Sequence, residues 1–133
     1  MLYIVAFVAG FILSLVNGVL WNLVLFKDKY NAATLGVLRD TPIFPIGFLA
    51  IMLNLIAILC VFGWIYPVGV FDPIKGILFV GLLWVPNLVN SIATAAKFRI
   101  VEIPLFIALE AGFALMNAIV IGFALSVVFS RMV

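Results

Sequence analysis

Four long runs of apolar residues constrain the fold of this chain more than any other feature of its sequence. They span residues 2–26, 43–66, 74–96 and 104–129. A membrane-spanning helix needs about 20 predominantly apolar residues, and each run is long enough and has no Lys or Arg at its centre. Strands of a membrane barrel would be about ten residues long with alternating polarity, a pattern that these runs lack. The sequence therefore predicts an all-α integral membrane protein with four transmembrane helices.

The composition is that of a chain solvated by lipid as well as by water. Of its 133 residues, 68% are hydrophobic and only 9% are charged, whereas a soluble domain has about 25% charged residues. The first run has no basic segment in front of it and is longer than the apolar core of a signal peptide, so it is predicted to be the first transmembrane helix. Residues 1–133 are predicted to form a single membrane domain.

Short connections between the runs predict how the helices are arranged. They span residues 27–42, 67–73 and 97–103, and since short loops join antiparallel neighbours, we expect an up-down four-helix bundle. The first and third connections carry five of the seven Lys and Arg residues. By the positive-inside rule, both are predicted to be cytoplasmic and both termini non-cytoplasmic, in the inner membrane of a bacterium. The five cations are Lys27, Lys29, Arg39, Lys97 and Arg99.

The first connection is the longest, and its sequence leaves two structures open. Its apolar residues Tyr30, Leu35 and Leu38 fit a short amphipathic turn along the membrane surface. A solvated loop fits them equally well.

The residue types that most enzymes and metal sites use are scarce. There is no histidine and a single cysteine, Cys60. The commonest general base and metal ligand is therefore missing, and so is any disulfide or paired-cysteine site. Cys60 is expected to be a small buried hydrophobic residue. No metal site is predicted, and because no catalytic constellation is present, the protein is predicted not to be an enzyme.

A row of polar residues interrupts the third run. Asn87, Asn90, Ser91 and Thr94 are spaced i, i+3, i+4 and i+7, so a helix places them on one face. Polar side chains facing lipid are unfavourable, and the row is therefore expected to face protein or water. Pro86 lies beside the row and is expected to kink the helix.

The other runs offer polar partners for this row. Glu110 is the only carboxylate within a run, and if the third connection turns near Ile100, Glu110 and Asn90 lie at similar depth. A carboxyl group there must be protonated, hydrogen-bonded or paired with a cation. The cluster is either a structural network that fixes helix packing or a site for a proton, an ion or a ligand. The candidate ligand-binding residues are Asn17, Asn54, Asn87, Asn90, Glu110 and Asn117.

Three segments resemble a known family. They are GVLWNLVLF in the first run, GLLWVPNLVNSIATAAKFR in the third and FIALEAGFALMNAIVIG in the fourth. Together they resemble the small four-helix bacterial membrane proteins grouped as "domain of unknown function 1761". The matching positions are Gly18, Trp21, Trp84, Pro86, Asn90, Arg99, Glu110 and Gly112. The chain departs from that pattern after Phe26, where another Trp is expected and Lys-Asp-Lys-Tyr stands. The resemblance implies a fold and no activity.

Two functions fit these features. The first is a non-catalytic accessory or structural subunit that packs against a larger membrane complex or against itself. The second is a small transporter, channel or lipophile-binding protein, oligomeric if it encloses a path, with a polar intramembrane site around Glu110. The expected partners are membrane lipid and other membrane subunits or further copies, and no nucleic acid. No cofactor is predicted, although contact with a lipid, quinone or pigment is left open.

Overall fold

The structure, a computed structural model, describes residues 1–37, 41 and 43–131. Four of its helices are long and apolar enough to cross a membrane, and the residues described form no strand. The predicted all-α class and its four long apolar helices are confirmed. Helix α1 is Leu2–Val19, continued by a π-helix over Leu20–Leu25; α2 is Lys27–Ala33, α3 is Phe44–Ile65, α4 is Pro73–Lys97 and α5 is Ile103–Arg131.

The first connection is partly folded into the short helix α2. The carbonyl group of Ala33, at the end of α2, accepts a hydrogen bond from the backbone N–H of Val101 at 2.9 Å. Tyr30 packs against Phe106 of α5, with ring centroids 6.3 Å apart, whereas Leu35 is exposed. Helix α2 therefore packs against the turn between α4 and α5. Leu38, Arg39 and Pro42, which lie further along this connection, fall outside the described residues.

The end of α1 is wound as a π-helix. The N–H of Phe26 donates to the carbonyl of Trp21, five residues earlier, at 3.1 Å, and such turns are frequent at functional sites. The indole Nε1 of Trp21 donates to the Leu109 carbonyl of α5 at 3.1 Å. Asn22, the next residue, lines a cavity inside the bundle. This segment thus directs two consecutive side chains toward the other helices.

Helices α4 and α5 form the most extensive contact between described elements. A Cβ atom added to Gly122 would lie 2.5 Å from the Cα of Ile77, and one added to Gly76 would meet the Gly122 carbonyl at 2.7 Å. The backbones therefore touch at these glycines, as small residues commonly allow in membrane helices. Because the start of α4 meets the end of α5, the two helices run in opposite directions.

Helix α3 is packed along only its second half. Its buried residues are Leu55, Ile58, Leu59 and Phe62, whereas residues 44–50 are all exposed. Phe62 stacks on Tyr66 at 4.6 Å and meets the edge of Phe129 at 5.0 Å. This aromatic group closes the bundle at the end of α3, while the start of α3 stands apart from α4.

Two single residues were expected to have specific structural roles. The expectation that Cys60 is buried was wrong, since it is exposed on α3. Lipid is as apolar as a helix interface, so an apolar residue type does not indicate which face of a membrane helix is covered. Helix α4 runs through Pro86 as one element, and the kink expected there stays a prediction.

Candidate functional site

The polar row lies on the wall of a cavity between the helices. The cavity has a volume of about 570 Å³, within the range of about 300–1,000 Å³ usual for small-molecule sites. It lies in the half of the bundle nearest α2 and the α4–α5 turn. Its lining residues are Ser14, Gly18, Asn22, Gly47, Ala50, Ile51, Asn54, Trp84, Asn87, Asn90, Ser91, Thr94, Phe113 and Asn117.

All four residues of the row line this cavity. The Asn87 amide donates from Nδ2 to the Oδ1 of Asn54 on α3 at 3.0 Å. The Thr94 hydroxyl donates to the carbonyl of Asn90, in its own helix, at 3.0 Å. The row therefore faces the space between the helices, and the Asn54–Asn87 bond joins α3 to α4 at the point where α3 begins to stand apart.

A second pair of amides lies deeper in the bundle. Asn17 of α1 donates from Nδ2 to the Oδ1 of Asn117 on α5 at 3.0 Å, and Asn117 is 0% exposed. The Nδ2 of Asn117 is buried and has no hydrogen-bond acceptor among the described residues, and the same is true of the Nε1 of Trp84. Both side chains line the cavity. Buried polar groups are nearly always hydrogen-bonded, so these two unpartnered donors, both on side chains that line the cavity, are exceptional.

Glu110 belongs to a neighbouring cluster. It is not among the residues that line the cavity in the described part of the chain; its carboxyl group faces the hydroxyl groups of Tyr30 and Ser91. Ser91 also lines the cavity, and is therefore common to the cavity and the Glu110 cluster. Asn90 and Glu110 were expected to lie at similar depth on α4 and α5. The residue of α4 that faces Glu110 is Ser91, the neighbour of Asn90.

Tyr30 connects this cluster to α2, which is not one of the four helices long and apolar enough to cross a membrane. Burial raises the pKa of Tyr30 from its ordinary value of about 10 to about 12, and the neighbouring Glu110 carboxyl group adds to the rise. The phenol is therefore protonated at neutral pH and able to donate a hydrogen bond.

The titration of Tyr30 is a direct check on this cluster. We expect a late ionisation near pH 12 in the ultraviolet absorbance of tyrosinate, absent in Tyr30→Phe. In Glu110→Gln it should occur at lower pH, because no negative charge then opposes the phenolate. The pKa of Tyr30 is higher in the folded state than in the unfolded state, so the folded protein holds this proton more tightly. The contribution of the Tyr30 proton to the free energy of unfolding is therefore complete below pH 10 and is lost as the pH rises toward 12. An unchanged midpoint in Glu110→Gln would place the carboxyl group elsewhere.

The cavity contains residues that sequence patterns did not single out as site residues. Asn22 follows the polar Asn17 by five residues, a spacing that an ordinary α-helix does not place on one face, and the π-helix accounts for it. Trp84 and Phe113 contact each other edge to face with centroids 6.1 Å apart, and in so apolar a chain aromatic residues carry no positional signal. Asn17 is not among the described residues that line the cavity, and it contributes to the site through its hydrogen bond to Asn117.

Comparisons of the chain with protein-family models, with curated proteins and with solved structures find no match. Two positions of the family resemblance do lie together: a Cβ added to Gly112 would meet the Trp21 indole at 2.7 Å. The resemblance itself stays a prediction. Across residues 1–37, 41 and 43–131, no group of three or more His, Cys, Asp or Glu residues could hold a metal ion.

Proposed function

We propose that this protein is an integral membrane protein that binds a small molecule with an apolar tail in the cavity between its helices. The observation that carries the proposal is the composition of the cavity wall. The polar row of α4 meets Asn54 of α3 and Asn117 of α5 around one space of about 570 Å³. Small-molecule sites are concave, and convergent polar groups fix the orientation of the ligand. Here eight of the fourteen lining residues carry an amide or hydroxyl side chain, and Ala50, Ile51, Trp84 and Phe113 supply apolar surface beside them.

The hydrogen bonding of the row supports binding over packing alone. A row that served only to fix helices in register would use its polar atoms in bonds between helices. Asn87 makes such a bond to Asn54. The Thr94 hydroxyl is bonded within its own helix, and Asn90 is exposed to the cleft. Polar groups are thus left facing an open space, where a ligand can use them.

The shape of the cleft supports an occupant that comes from the bilayer. Asn87 lies ten residues before the end of α4 at Lys97, or about 15 Å along the helix axis, close to the middle of a hydrocarbon core of about 30 Å. Asn54 of α3 lies at this depth, because it bonds to Asn87, and from there toward the start of α3 residues 44–50 are all exposed. A tail can therefore extend past α3 into lipid while a polar head group stays among the asparagines.

The proposal includes an orientation in the membrane. We place the four long helices in an up-down bundle with both termini on the non-cytoplasmic side of a bacterial inner membrane. The opposed contacts of α4 and α5 support the bundle. The five-to-two distribution of Lys and Arg supports the orientation, although one of the five, Arg39, falls outside the described residues. The ligand would then lie in the cytoplasmic half of the membrane.

The experiment is purification of the tagged native protein in a mild detergent, followed by organic extraction and mass spectrometry of the protein peak. We expect one apolar-tailed compound, enriched over the bulk lipid and retained through detergent exchange. A lipid profile equal to that of the whole membrane would overturn the proposal. A stoichiometric set of larger membrane subunits without such a compound would do so as well, and would favour an accessory subunit.

A further inference from the structure

We infer, on the basis of the proposed function, that the ligand presents an uncharged carbonyl oxygen to the N–H donors of Trp84 and Asn117. The proposed function requires only that an apolar-tailed molecule occupy the cavity. The inference names the chemical group by which that molecule is recognised.

The side-chain amides of Asn17 and Asn117 face each other inside the protein. Asn117 accepts one hydrogen bond from Asn17 at 3.0 Å, and its own Nδ2 is left without an acceptor in the described residues. If both amides are turned over, the nitrogen of Asn117 donates to the oxygen of Asn17, and one hydrogen bond is kept. The unpartnered atom of Asn117 is then its oxygen, an acceptor, because each amide carries both a donor and an acceptor. The pair therefore always leaves one polar atom of Asn117 without a partner among the described residues, on a side chain that lines the cavity.

The indole of Trp84 has a donor and no acceptor, and its Nε1 is also buried without a partner among the described residues. Unlike an amide, it cannot be turned over to offer an oxygen. Since Trp84 and Asn117 line the same cavity, an occupant with acceptor oxygens can satisfy both once their side chains rotate toward it. An occupant that only donates can never satisfy Trp84, whichever way the Asn117 amide is turned.

None of the lining residues in the described part of the chain is Lys, Arg, Asp or Glu. An anionic oxygen would have no cation to balance it in a low-dielectric site, and an unpaired buried charge is strongly unfavourable. A neutral carbonyl accepts hydrogen bonds without this penalty. The Trp84 and Phe113 rings add apolar surfaces against which a flat head group can pack.

Quinones and acyl esters such as diacylglycerol are membrane molecules that carry a neutral carbonyl on an apolar tail. Binding should therefore be measured with three probes in the same detergent: decylubiquinone, dioctanoylglycerol and the anion palmitate. The proteins are the native chain, Trp84→Phe, which keeps an aromatic ring but removes the N–H, and Trp64→Phe. Trp64 is 93% exposed on α3 and is the matched control.

We expect one of the two neutral probes to bind, with about tenfold weaker binding to Trp84→Phe, as loss of one buried hydrogen bond implies. Trp64→Phe should bind like the native chain, and palmitate should not bind. The neutral probe that binds identifies the source of the carbonyl. A second measurement on the native protein is proton NMR of the Trp84 indole N–H. Its resonance should shift downfield on binding, as it does when an N–H forms a stronger hydrogen bond.

Several outcomes would overturn the inference. They are preferential binding of palmitate, equal affinity of Trp84→Phe and the native chain, or an unmoved indole resonance at saturation. A compound that copurifies with the protein while neither neutral probe binds would refute the carbonyl and leave the proposed function standing. Absence of any copurifying compound together with no probe binding would refute both.

Discussion

Gly122→Ala is expected to force α4 and α5 apart and to destabilise the protein by about 2–3 kcal/mol, in the upper range for overpacking a tight contact. The added Cβ would lie 2.5 Å from the Cα and 2.7 Å from the backbone N of Ile77. Both are main-chain atoms of a helix, so no side-chain rotation can relieve the clash. Helix α4 must therefore move as a whole, and this disturbs its contact with α5, the most extensive contact between helices in the described chain.

Gly81→Ala is the matched control for this change. It adds the same methyl group to the same pair of helices, but the new Cβ would lie 3.8 Å from the Ala118 Cβ, an ordinary van der Waals distance. Replacing Gly by Ala inside a helix is favourable by about 0.5–1 kcal/mol, so Gly81→Ala should be neutral or stabilising. Unfolding in mixed detergent and sodium dodecyl sulfate, followed by helical circular dichroism, separates the two variants. Equal stability of both would show that α4 and α5 do not touch at Gly122.

The sequence predicts the four long apolar helices well because their signal is summed over many residues. A run such as 43–66 exceeds the length that a bilayer requires, and α3 occupies Phe44–Ile65. The row on α4 was equally predictable, since i, i+3, i+4 and i+7 spacing follows from helix geometry alone. Its four members line one cavity. Gly76 and Gly122 are contact points of α4 and α5, as small residues commonly are between membrane helices.

The parts that could not be predicted depend on how the helices pack. In lipid, an apolar side chain is nearly as well placed outside the bundle as inside, so nothing in the sequence of α3 indicates that only its second half is covered. The π-helix over Leu20–Leu25 shifts Asn22 toward the interior, and no residue pattern marks it. Glu110 was grouped with the asparagines because of its depth. Its contact with Tyr30 depends on the fold of the first connection, whose sequence fits a helix or a loop.

The same incomplete packing of α3 is what makes the cavity accessible to experiment. Ala50 lines the cavity and is nevertheless exposed, because the early part of α3 stands away from α4. A larger side chain at this position can enter the cavity without disturbing buried packing. Binding and stability can therefore be separated at Ala50, which is not possible at Asn117, where the side chain is fully buried.

Ala50→Phe is expected to abolish retention of the copurifying compound while leaving the unfolding transition close to that of the native chain. The phenyl ring would occupy space that the ligand needs, and since affinity follows shape as well as hydrogen bonding, we expect at least a tenfold loss, or about 1.4 kcal/mol. Ala57→Phe is the matched control, because Ala57 is exposed two turns further along α3 and does not line the cavity among the described residues. Mass spectrometry of the extracted compound, normalised to protein, compares the three. If Ala50→Phe retains as much compound as Ala57→Phe, the compound is bound on the outer surface of the bundle and the cavity is not its site.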